Sequence, residues 1–468
     1  MTVARRSSAG DTRPMATARI RFDGLPTGVR VALLGLAVGI VLADSSVVTI
    51  ALPNILTRYD VGIETLTWAL TSFNLALALA ALPAAFAARR RPVPVFGAGA
   101  VVFAVASLVS AFAPSFGVLV AGRTAQGVAG AAVVTSALGL LADVTDGDAP
   151  AARIWAFAGI LGAAVGPAIG GILTQLFGWE SIFLVQAPLI LATALALVGA
   201  RPATALEPLE RPHLRANAAL MLVSGALVAA LFLLVILLIN GWRLEPLEAG
   251  LVVTVMPIAA IAAARYGGPI TPPWARAASG VILISGGLAA LGWLPEAGAA
   301  WTVPPQLAVG AGLGLALSAL TERALAGRSS QAVHGGWTLA ARHAGVVLGL
   351  LLLTPIFTAD LDRSRDDALA AGTAAVLDSS IPPLQKIGVA RDILVAVDQG
   401  EAEARVPDVG KVVESRGESP AYMDLASTLQ DQLDRAATNA FSRSFLAAAV
   451  LGLLALVPIL LDRRDVSL

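Results

Sequence analysis

Asp44 is the side chain in this sequence whose position most strongly indicates chemistry. It is the only carboxylate that falls deep inside a long apolar stretch, where an ionised group costs roughly 2.5–3.5 kcal/mol when the stretch enters a bilayer. Such a carboxylate must take up a proton or face a polar cavity with a cationic partner, and both conditions suit a proton carrier. The alternative is a hydrogen bond to Ser45 or Ser46 that serves only helix packing.

Arg123 and Gln126 are candidates to act with Asp44 in proton coupling. They are three residues apart, so they share one face of a helix and can point into the same cavity. Alternatively, Arg123 lies near the start of its apolar stretch and extends toward the lipid headgroups. Three residues are candidates to line a substrate cavity, although single polar side chains often only bond neighbouring helices: Trp68, Asn74 and Gln186.

Small residues recur in the pattern G-x-x-x-G-P-x-x-G-G. Its members are Gly162, Gly166, Pro167, Gly170 and Gly171. Glycines at this spacing let a neighbouring helix approach closely, and the proline removes one backbone hydrogen bond and bends its own helix. We expect Gly166 and Gly170 to pack against the opposite half of the molecule.

Charged residues at the ends of apolar stretches form a set of gating candidates. They are Arg89, Arg90, Arg91, Glu322, Arg342 and His343. The three consecutive arginines are more typical of an orientation signal that contacts lipid phosphates than of a substrate site. Glu322 closes one apolar stretch and Arg342 and His343 open the next, so we expect these three at the inner membrane interface.

These residues require a membrane to position them. The 468 residues are 57% hydrophobic and only 14% charged, with a mean hydropathy of +0.78, and one water-soluble core cannot bury so much apolar surface. A bilayer-spanning helix needs about 20 apolar residues. We predict twelve spans, at 30–53, 66–86, 94–113, 117–141, 154–176, 181–200, 217–239, 248–264, 278–294, 305–325, 334–357 and 441–461.

Composition also restricts the cofactors and partners. A formal net charge of zero provides no basic field for nucleic acid. The sequence contains no cysteine and three histidines, which argues against a metal site, and it has no glycine-rich phosphate loop of the kind that binds ATP. We therefore expect no cofactor, no metal and no nucleic-acid partner.

Arginine and lysine are concentrated in alternate loops, which the positive-inside rule assigns to the cytoplasm. We therefore predict a multi-pass protein of the inner (cytoplasmic) membrane with both termini in the cytoplasm. The apolar run from Val31 is longer than the roughly 7–15 residues of a signal-peptide core, so the basic segment before it is predicted as a tail. The predicted order is a tail (1–29), an N-terminal bundle (30–200), a linker (201–216), a C-terminal bundle (217–357 and 441–461), an extracytoplasmic domain (358–440) and a tail (462–468).

The predicted extracytoplasmic domain, residues 358–440, is termed the insertion. From Ala359 to Ala440 it carries fifteen acidic and eight basic side chains. Apolar residues at helical spacing predict amphipathic helices, and they are Leu384, Ile387, Ile393, Leu394, Val397, Leu425, Leu429 and Leu433. Ser419 and Pro420 indicate a helix start that continues into the last span. The alternative is a disordered loop.

Several motifs together resemble one transporter family. Residues 44–53 (DSSVVTIALP), the R-x-x-Q-G pattern from Arg123 and the glycine–proline pattern of residues 162–171 are similar to motifs of the drug:proton antiporter family of the major facilitator superfamily. The similarity continues at Trp68, Gly178, Trp179, Phe183, Pro246, Leu247, Ala249, Gly250, Pro257, Arg342 and Gly345. It therefore extends over nearly all of the predicted membrane portion.

The resemblance implies an all-α membrane protein with the major facilitator fold. Two pseudo-symmetric six-helix bundles are expected, with a mainly helical external insertion before the last span. It also implies a secondary active transporter, not an enzyme, that uses a proton gradient to export hydrophobic or amphipathic small molecules such as a drug, lipid or metabolite. The expected partners are this lipophilic substrate, membrane lipid, and an extracytoplasmic protein or lipid for the insertion.

The sequence departs from that family in three respects. Members of this branch usually have fourteen spans, whereas twelve are predicted here. The family's loop motif G-x-L-x-D-R-x-G-R has lost its aspartate and second glycine and remains only as residues 84–91, AAFAARRR. The insertion is larger than in most relatives. An alternative function therefore stays open, namely a transport-impaired membrane scaffold whose external domain binds a partner.

Overall fold

The computed structural model describes residues 21–201, 209–268, 272–328, 330–402, 406–417 and 419–466. In this part of the chain, twelve helices are long and apolar enough to cross a membrane, so the predicted number of spans is confirmed. Spans 1 to 6 are Thr27–Tyr59, Ile63–Arg90, Pro92–Ala111, Phe116–Val144, Asp148–Phe177 and Glu180–Leu197. Spans 7 to 12 are Leu214–Gly241, Pro246–Tyr266, Pro273–Leu291, Ala299–Leu325, Gln331–Asp378 and Pro420–Asp462. Most of the predicted N-terminal tail, half of the linker and residues 467–468 lie outside the described residues.

Five of the described spans are each divided into two helical segments. Span 8 divides into Pro246–Val253 and Val255–Tyr266 because Pro257 has no N–H to donate to the carbonyl of Val253. The other divided spans are span 2 (Ile63–Leu66 and Trp68–Arg90), span 6 (Glu180–Thr193 and a 3-10 turn, Ala194–Leu197), span 7 (Leu214–Ile236 and a π-helical turn, Leu237–Gly241) and span 12 (Pro420–Leu453 and Leu456–Val466).

The spans pack as two six-helix halves with matching internal contacts. In the N-terminal half, span 1 packs against span 5 and span 2 against span 4. The equivalent pairs in the C-terminal half, span 7 with span 11 and span 8 with span 10, also pack together. The halves meet mainly where span 2 lies against span 11 and span 5 against span 8. These two contacts are equivalent under the same pseudo-symmetry, as the predicted fold requires.

A short strand pair joins the two ends of the N-terminal half, which the sequence did not indicate. Strand β1, Arg21–Phe22, pairs antiparallel with β2, Ala200–Arg201. Beside it the buried Arg30 guanidinium donates from Nη1 to the Ala196 carbonyl at 2.7 Å and from Nη2 to the Asp23 carbonyl at 2.8 Å. The segment before span 1 is thereby fixed to the end of span 6. We call this end of the spans the inner end, following the predicted topology.

The described part of the insertion is made of helices, and the side of the membrane on which it lies stays a prediction. The helix of span 11 runs for 48 residues, Gln331–Asp378, which at 1.5 Å per residue is about 72 Å, against a hydrocarbon thickness of about 30 Å. It is followed by helices Pro383–Ala402 and Val409–Glu414, and the helix of span 12 starts at Pro420 and continues unbroken to Leu453. These helices enclose a small core of buried apolar side chains: Val376, Ile381, Val389, Val409, Val413, Leu425, Ala426 and Leu429.

Candidate functional site

Asp44 and Arg123 form an ion pair in the interior of the N-terminal half. Asp44 lies near the middle of span 1, and Arg123 lies in the second turn of span 4. Asp44 Oδ2 is 2.5 Å from Arg123 Nη2, and both side chains are 0% exposed. The approach of these two atoms is not aligned as a hydrogen bond, so the contact is primarily Coulombic. Because each buried charge has an opposite charge beside it, the desolvation cost of both is offset.

This geometry removes one proposed contact for each residue. Arg123 does not extend to the lipid headgroups, because its side chain is completely buried against Asp44. Asp44 does not bond either neighbouring serine, since Ser46 Oγ donates to the Ala43 carbonyl at 2.7 Å and Ser45 Oγ donates to Asn74 Oδ1 at 3.4 Å. Asp44 and Arg123 are therefore paired with each other, an arrangement that the sequence alone did not specify.

Two glutamines complete a closed ring with the ion pair. Gln186 Nε2, from span 6, donates to Asp44 Oδ1 at 3.0 Å. Arg123 Nη1 donates to Gln126 Oε1 at 2.8 Å, and Gln126 Nε2 donates to Gln186 Oε1 at 3.3 Å. A change in the charge of Asp44 would therefore reach three other side chains on two spans. We call these four residues the ion-pair ring.

The Arg123 guanidinium is held from several further directions. Its Nε donates to the Ala69 carbonyl at 3.1 Å. Its Cζ lies 4.5 Å from the centre of the Phe73 ring and 5.6 Å from that of Phe183, distances at which the ring faces attract a cation. Gln126, which accepts from Arg123, in turn donates from Nε2 to Ser107 Oγ at 2.7 Å. The cation is therefore positioned by neutral groups as well as by Asp44.

Asn74 connects this region to the C-terminal half. Its Nδ2 donates to Ser45 Oγ at 3.1 Å and to the Leu70 carbonyl at 2.8 Å. Its Oδ1 lies 2.7 Å from His343 Nδ1 in span 11. Since Asn74 Oδ1 can only accept, this contact requires the proton on His343 Nδ1. Two consecutive hydrogen bonds, Ser45 to Asn74 and Asn74 to His343, thus join the residue next to Asp44 to the other half of the molecule.

The predicted location of His343 at the inner interface is wrong. His343 is buried and lies twelve residues into its helix, about 18 Å from the inner end along the axis. Arg342 beside it is half-buried at the same depth, so it does not lie at the interface either. The helix begins at Gln331, three residues before the predicted start at residue 334, which accounts for about 4.5 Å of this depth. The remaining depth was already contained in the predicted span, so the expected interface position did not agree with the predicted boundaries.

The other gating candidates remain at span ends and away from the ion-pair ring. Glu322 Oε2 accepts from Arg276 Nη2 at 2.7 Å, and both residues belong to the C-terminal half. The arginines at 89–91 end span 2. One candidate for the substrate cavity also lies apart, because the Trp68 side chain at the start of its helix is 48% exposed, unlike the buried members of the ring.

The glycine motif packs differently from the prediction. A Cβ on Gly162 or Gly166 would overlap atoms of Gly39 or Ser46, and one on Gly170 would lie 2.7 Å from the Val47 carbonyl. All three contacts are with span 1 in the same half, so the prediction that Gly166 and Gly170 pack against the opposite half is wrong. Residues four apart occupy one helix face, and that face holds the segment of span 1 that carries Asp44.

Gly171 makes the contact with the opposite half. It lies one residue, and thus about 100°, further around the helix than Gly170. A Cβ on Gly171 would lie 2.6 Å from the Pro246 carbonyl of span 8, and one on Gly250 would lie 2.6 Å from the Pro167 carbonyl. Span 5 therefore uses one glycine face to hold span 1 and the adjacent face to meet span 8.

The halves are closed toward their inner ends. A Cβ on Gly335 would overlap the Leu138 side chain, and one on Gly336 would lie 2.5 Å from Ala85 Cβ. At the outer ends, by contrast, a cavity of about 1180 Å³ extends between the spans and the insertion. The residues that sequence reasoning missed at the site are Ser107, Phe73 and the partnership of Asn74 with His343. Ser107 is one of two hydroxyls in the mainly apolar span 3, with Ser110, and this was the available signal.

Comparison with known proteins identifies the relatives of this chain. A family model described as Major Facilitator Superfamily matches residues 34–354. The chain is 38% identical over 172 residues to the multidrug efflux pump LfrA of Mycolicibacterium smegmatis, which covers 35% of this chain and 33% of that protein. It is 31% identical over 261 residues to the methylenomycin A resistance protein of Streptomyces coelicolor, which covers 53% of each.

The match to these curated relatives spans only about a third to a half of their length. A solved structure covers more of the chain: a bacterial homolog of the human lysosomal transporter Spinster, inward-facing and unoccupied, has a TM-score of 0.62 at 16% identity, covering 93% of this chain and 98% of that one. This likeness concerns the fold alone. Together with the twelve spans and the family match over more than half of the sequence, it establishes that the chain is a multi-pass membrane protein that belongs to the Major Facilitator Superfamily.

Proposed function

We propose that this chain is a secondary active transporter that exports hydrophobic or amphipathic small molecules in exchange for protons. The observation that carries the proposal is the fully buried Asp44–Arg123 pair within the ion-pair ring. The names of the relatives, a multidrug efflux pump and resistance proteins, support the direction of transport and the broad substrate class.

Asp44 acts as the proton carrier in this proposal. When ionised, it attracts Arg123 across 2.5 Å, and protonation removes that attraction. Arg123 retains its bonds to Ala69 and Gln126, so the loss of one contact does not leave the cation without partners. The proton thereby changes the force between spans 1 and 4 without dismantling the site, which is what a reversible carrier requires.

The charge of Asp44 can also affect the contact between the two halves. Ser45, next to Asp44, bonds Asn74, and Asn74 bonds His343 in span 11. A shift of span 1 after protonation would therefore disturb a hydrogen bond between the halves. Alternating access requires the halves to move against each other, and this hydrogen bond lies on the interface that moves.

Proteoliposomes test the proposal directly. Purified protein is reconstituted, an inwardly directed proton gradient is imposed, and export of a lipophilic cationic dye is measured beside empty vesicles. Wild type should move dye against its concentration gradient. Asp44→Asn, which keeps the shape but cannot release a proton, should bind dye and lose uphill transport and dye-induced proton flux. Asp424→Asn, at an exposed carboxylate of the insertion, is the matched control and should behave as wild type.

Two results would count against this function. An Asp44→Asn variant that pumps uphill with the pH dependence of wild type would eliminate Asp44 as the carrier. Wild-type protein that moves no dye or proton under any gradient would favour the alternative, a membrane scaffold whose insertion binds a partner.

A further inference from the structure

The partly open cavity at the outer ends of the spans is lined jointly by both halves and by the insertion; we call it the outer chamber. Its volume is about 1180 Å³, which exceeds the roughly 300–1,000 Å³ of ordinary small-molecule pockets. The N-terminal half contributes Pro53, Leu56 and residues between Asp60 and Leu66. The C-terminal half contributes Phe357, Phe441 and the end of span 7, and the insertion supplies most of the remaining wall.

The insertion presents an apolar stripe to this chamber. Ile387, Ala390, Leu394 and Val397 line it at spacings of three and four residues along the helix Pro383–Ala402, so they share one helix face. A different residue of this helix, Val389, is buried in the insertion's own core. Ile387 is nevertheless 69% and Leu394 57% exposed. The stripe is therefore apolar surface that the folding of the insertion does not use.

The extended helix of span 11 adds apolar surface of the same kind. Leu369 and Leu377 line the chamber, and Leu377 is 66% exposed. Among the described residues that line it, four of 39 carry a formal charge: Asp60, Asp362, Arg365 and Lys386. The Lys386 ammonium donates to the Leu377 carbonyl at 2.5 Å, so it is bound at the wall. A mainly apolar occupant with a small polar end matches this lining.

The chamber is separate from the ion-pair ring. The lining residue of span 1 nearest to Asp44 in sequence is Pro53, nine residues further on and therefore about 13 Å along the helix axis. Asp44 and Arg123 are both completely buried and do not line the chamber. A ligand in the chamber therefore occupies a second site, toward the outside of the proposed transport path.

The insertion is held in place by the C-terminal half. Arg243 Nη2 donates to Asp434 Oδ1 at 3.0 Å, and Trp242 Nε1 donates to Thr438 Oγ1 at 3.1 Å. The Val406 amide donates to the Asn240 carbonyl at 2.9 Å. The wall made by the insertion is thus tied to the end of span 7 and to the segment that follows it, whereas part of the opposite wall belongs to span 1.

From these observations we propose that the outer chamber is a binding site for a lipid-sized amphiphile with long alkyl chains. The alkyl chains lie against the stripe of Ile387 and Leu394 and against Leu377, and they cover apolar surface that would otherwise face water. The site binds its ligand whether or not the protein transports it, so the inference goes beyond the proposed export function.

Photolabelling in lipid nanodiscs tests the inference. The probe is a long-chain fatty acid with a diazirine in its alkyl chain, and labelled peptides are mapped by mass spectrometry. We expect saturable labelling of residues 361–377 and 383–397, which unlabelled fatty acid competes away. The double variant Ile387→Asp, Leu394→Asp should lose labelling about tenfold, because it places unpaired charge against the alkyl chain.

Two control variants separate this result from general effects. Leu384→Asp is on the same helix and is 85% exposed but does not line the chamber, so its labelling should equal that of wild type. Asp44→Asn should label normally even if it fails to transport. Labelling of the double variant at the wild-type level would overturn the proposal. So would wild-type labelling confined to the outer surfaces of the spans, or labelling that unlabelled fatty acid does not reduce, and these two readouts do not depend on the variant folding.

Discussion

Replacing Asp44 by asparagine should destabilise the protein strongly when Arg123 is present and much less when Arg123 is also replaced. The two charged atoms are 2.5 Å apart and both side chains are fully buried, so solvent does not screen them. Unit charges about 4 Å apart attract by roughly 4 kcal/mol at an effective dielectric constant of about 20. Removing one member of a buried pair typically costs about 3–5 kcal/mol, because the other charge is left without its partner.

A double-mutant cycle measures this coupling. The free energy of unfolding of purified protein in mixed lipid–detergent micelles is determined by denaturant titration for wild type, Asp44→Asn, Arg123→Gln and the double variant. We expect each single change to lower it by about 3–5 kcal/mol and the double change to lower it by about 2–3 kcal/mol less than the sum. The pair of Arg276 with Glu322, at 2.7 Å and with side chains 13% and 65% exposed, is the less buried control and should couple more weakly, by about 1 kcal/mol.

An additive result would refute this reasoning. If the two single changes sum to the double change within about 0.5 kcal/mol, Asp44 and Arg123 do not interact as charges, and the basis for a proton carrier at this site is lost. Equal coupling in the buried pair and in the Arg276–Glu322 control would have the same meaning, because burial would then not strengthen the interaction.

The remaining predictions concern packing, the link between the halves, and topology. Gly166→Leu should abolish transport while membrane insertion stays intact, because it displaces the segment of span 1 against which it packs; Gly286→Leu, at a position with open space around it, should transport normally. His343→Leu should change the ratio of inward- to outward-open states by roughly two- to tenfold, the effect of one net hydrogen bond, as read by distance measurements between spin labels on the two halves. A cysteine at the exposed Ser415 should react with an impermeant maleimide in intact cells and one at Ser467 should not; the reverse pattern would invert the predicted orientation.

The span positions were predictable because the bilayer imposes a local requirement. About 20 consecutive apolar residues suffice to cross it, and this requirement does not depend on which helices pack against the span. The polar members of the site were also visible one at a time, since Asp44, Arg123 and Gln186 are conspicuous in apolar surroundings. That Gln186 closes a ring through Gln126 was not visible, because the rotation of each helix depends on its neighbours.

Packing partners were the least predictable feature. The spacing of Gly166 and Gly170 indicates that some helix approaches closely, but the pattern contains no information about which helix. The stripe at Ile387 and Leu394 shows a similar ambiguity: helical spacing predicted an amphipathic helix, yet these side chains line the outer chamber instead of the insertion's own core. An apolar face is compatible with folding or with ligand binding, and only the surrounding structure distinguishes the two.

The length of the span 11 helix gives it the geometry of a lever. Its inner end is packed against span 2 and span 4 where the halves close, and its outer part, up to Asp378, forms a wall of the chamber. Over a helix about 72 Å long, a tilt of about 10° around the inner end would displace the tip by about 12 Å. A small rotation at the level of His343 would thus become a large displacement of the chamber wall. Rocking of the two halves would then alternately increase and decrease the volume of the outer chamber.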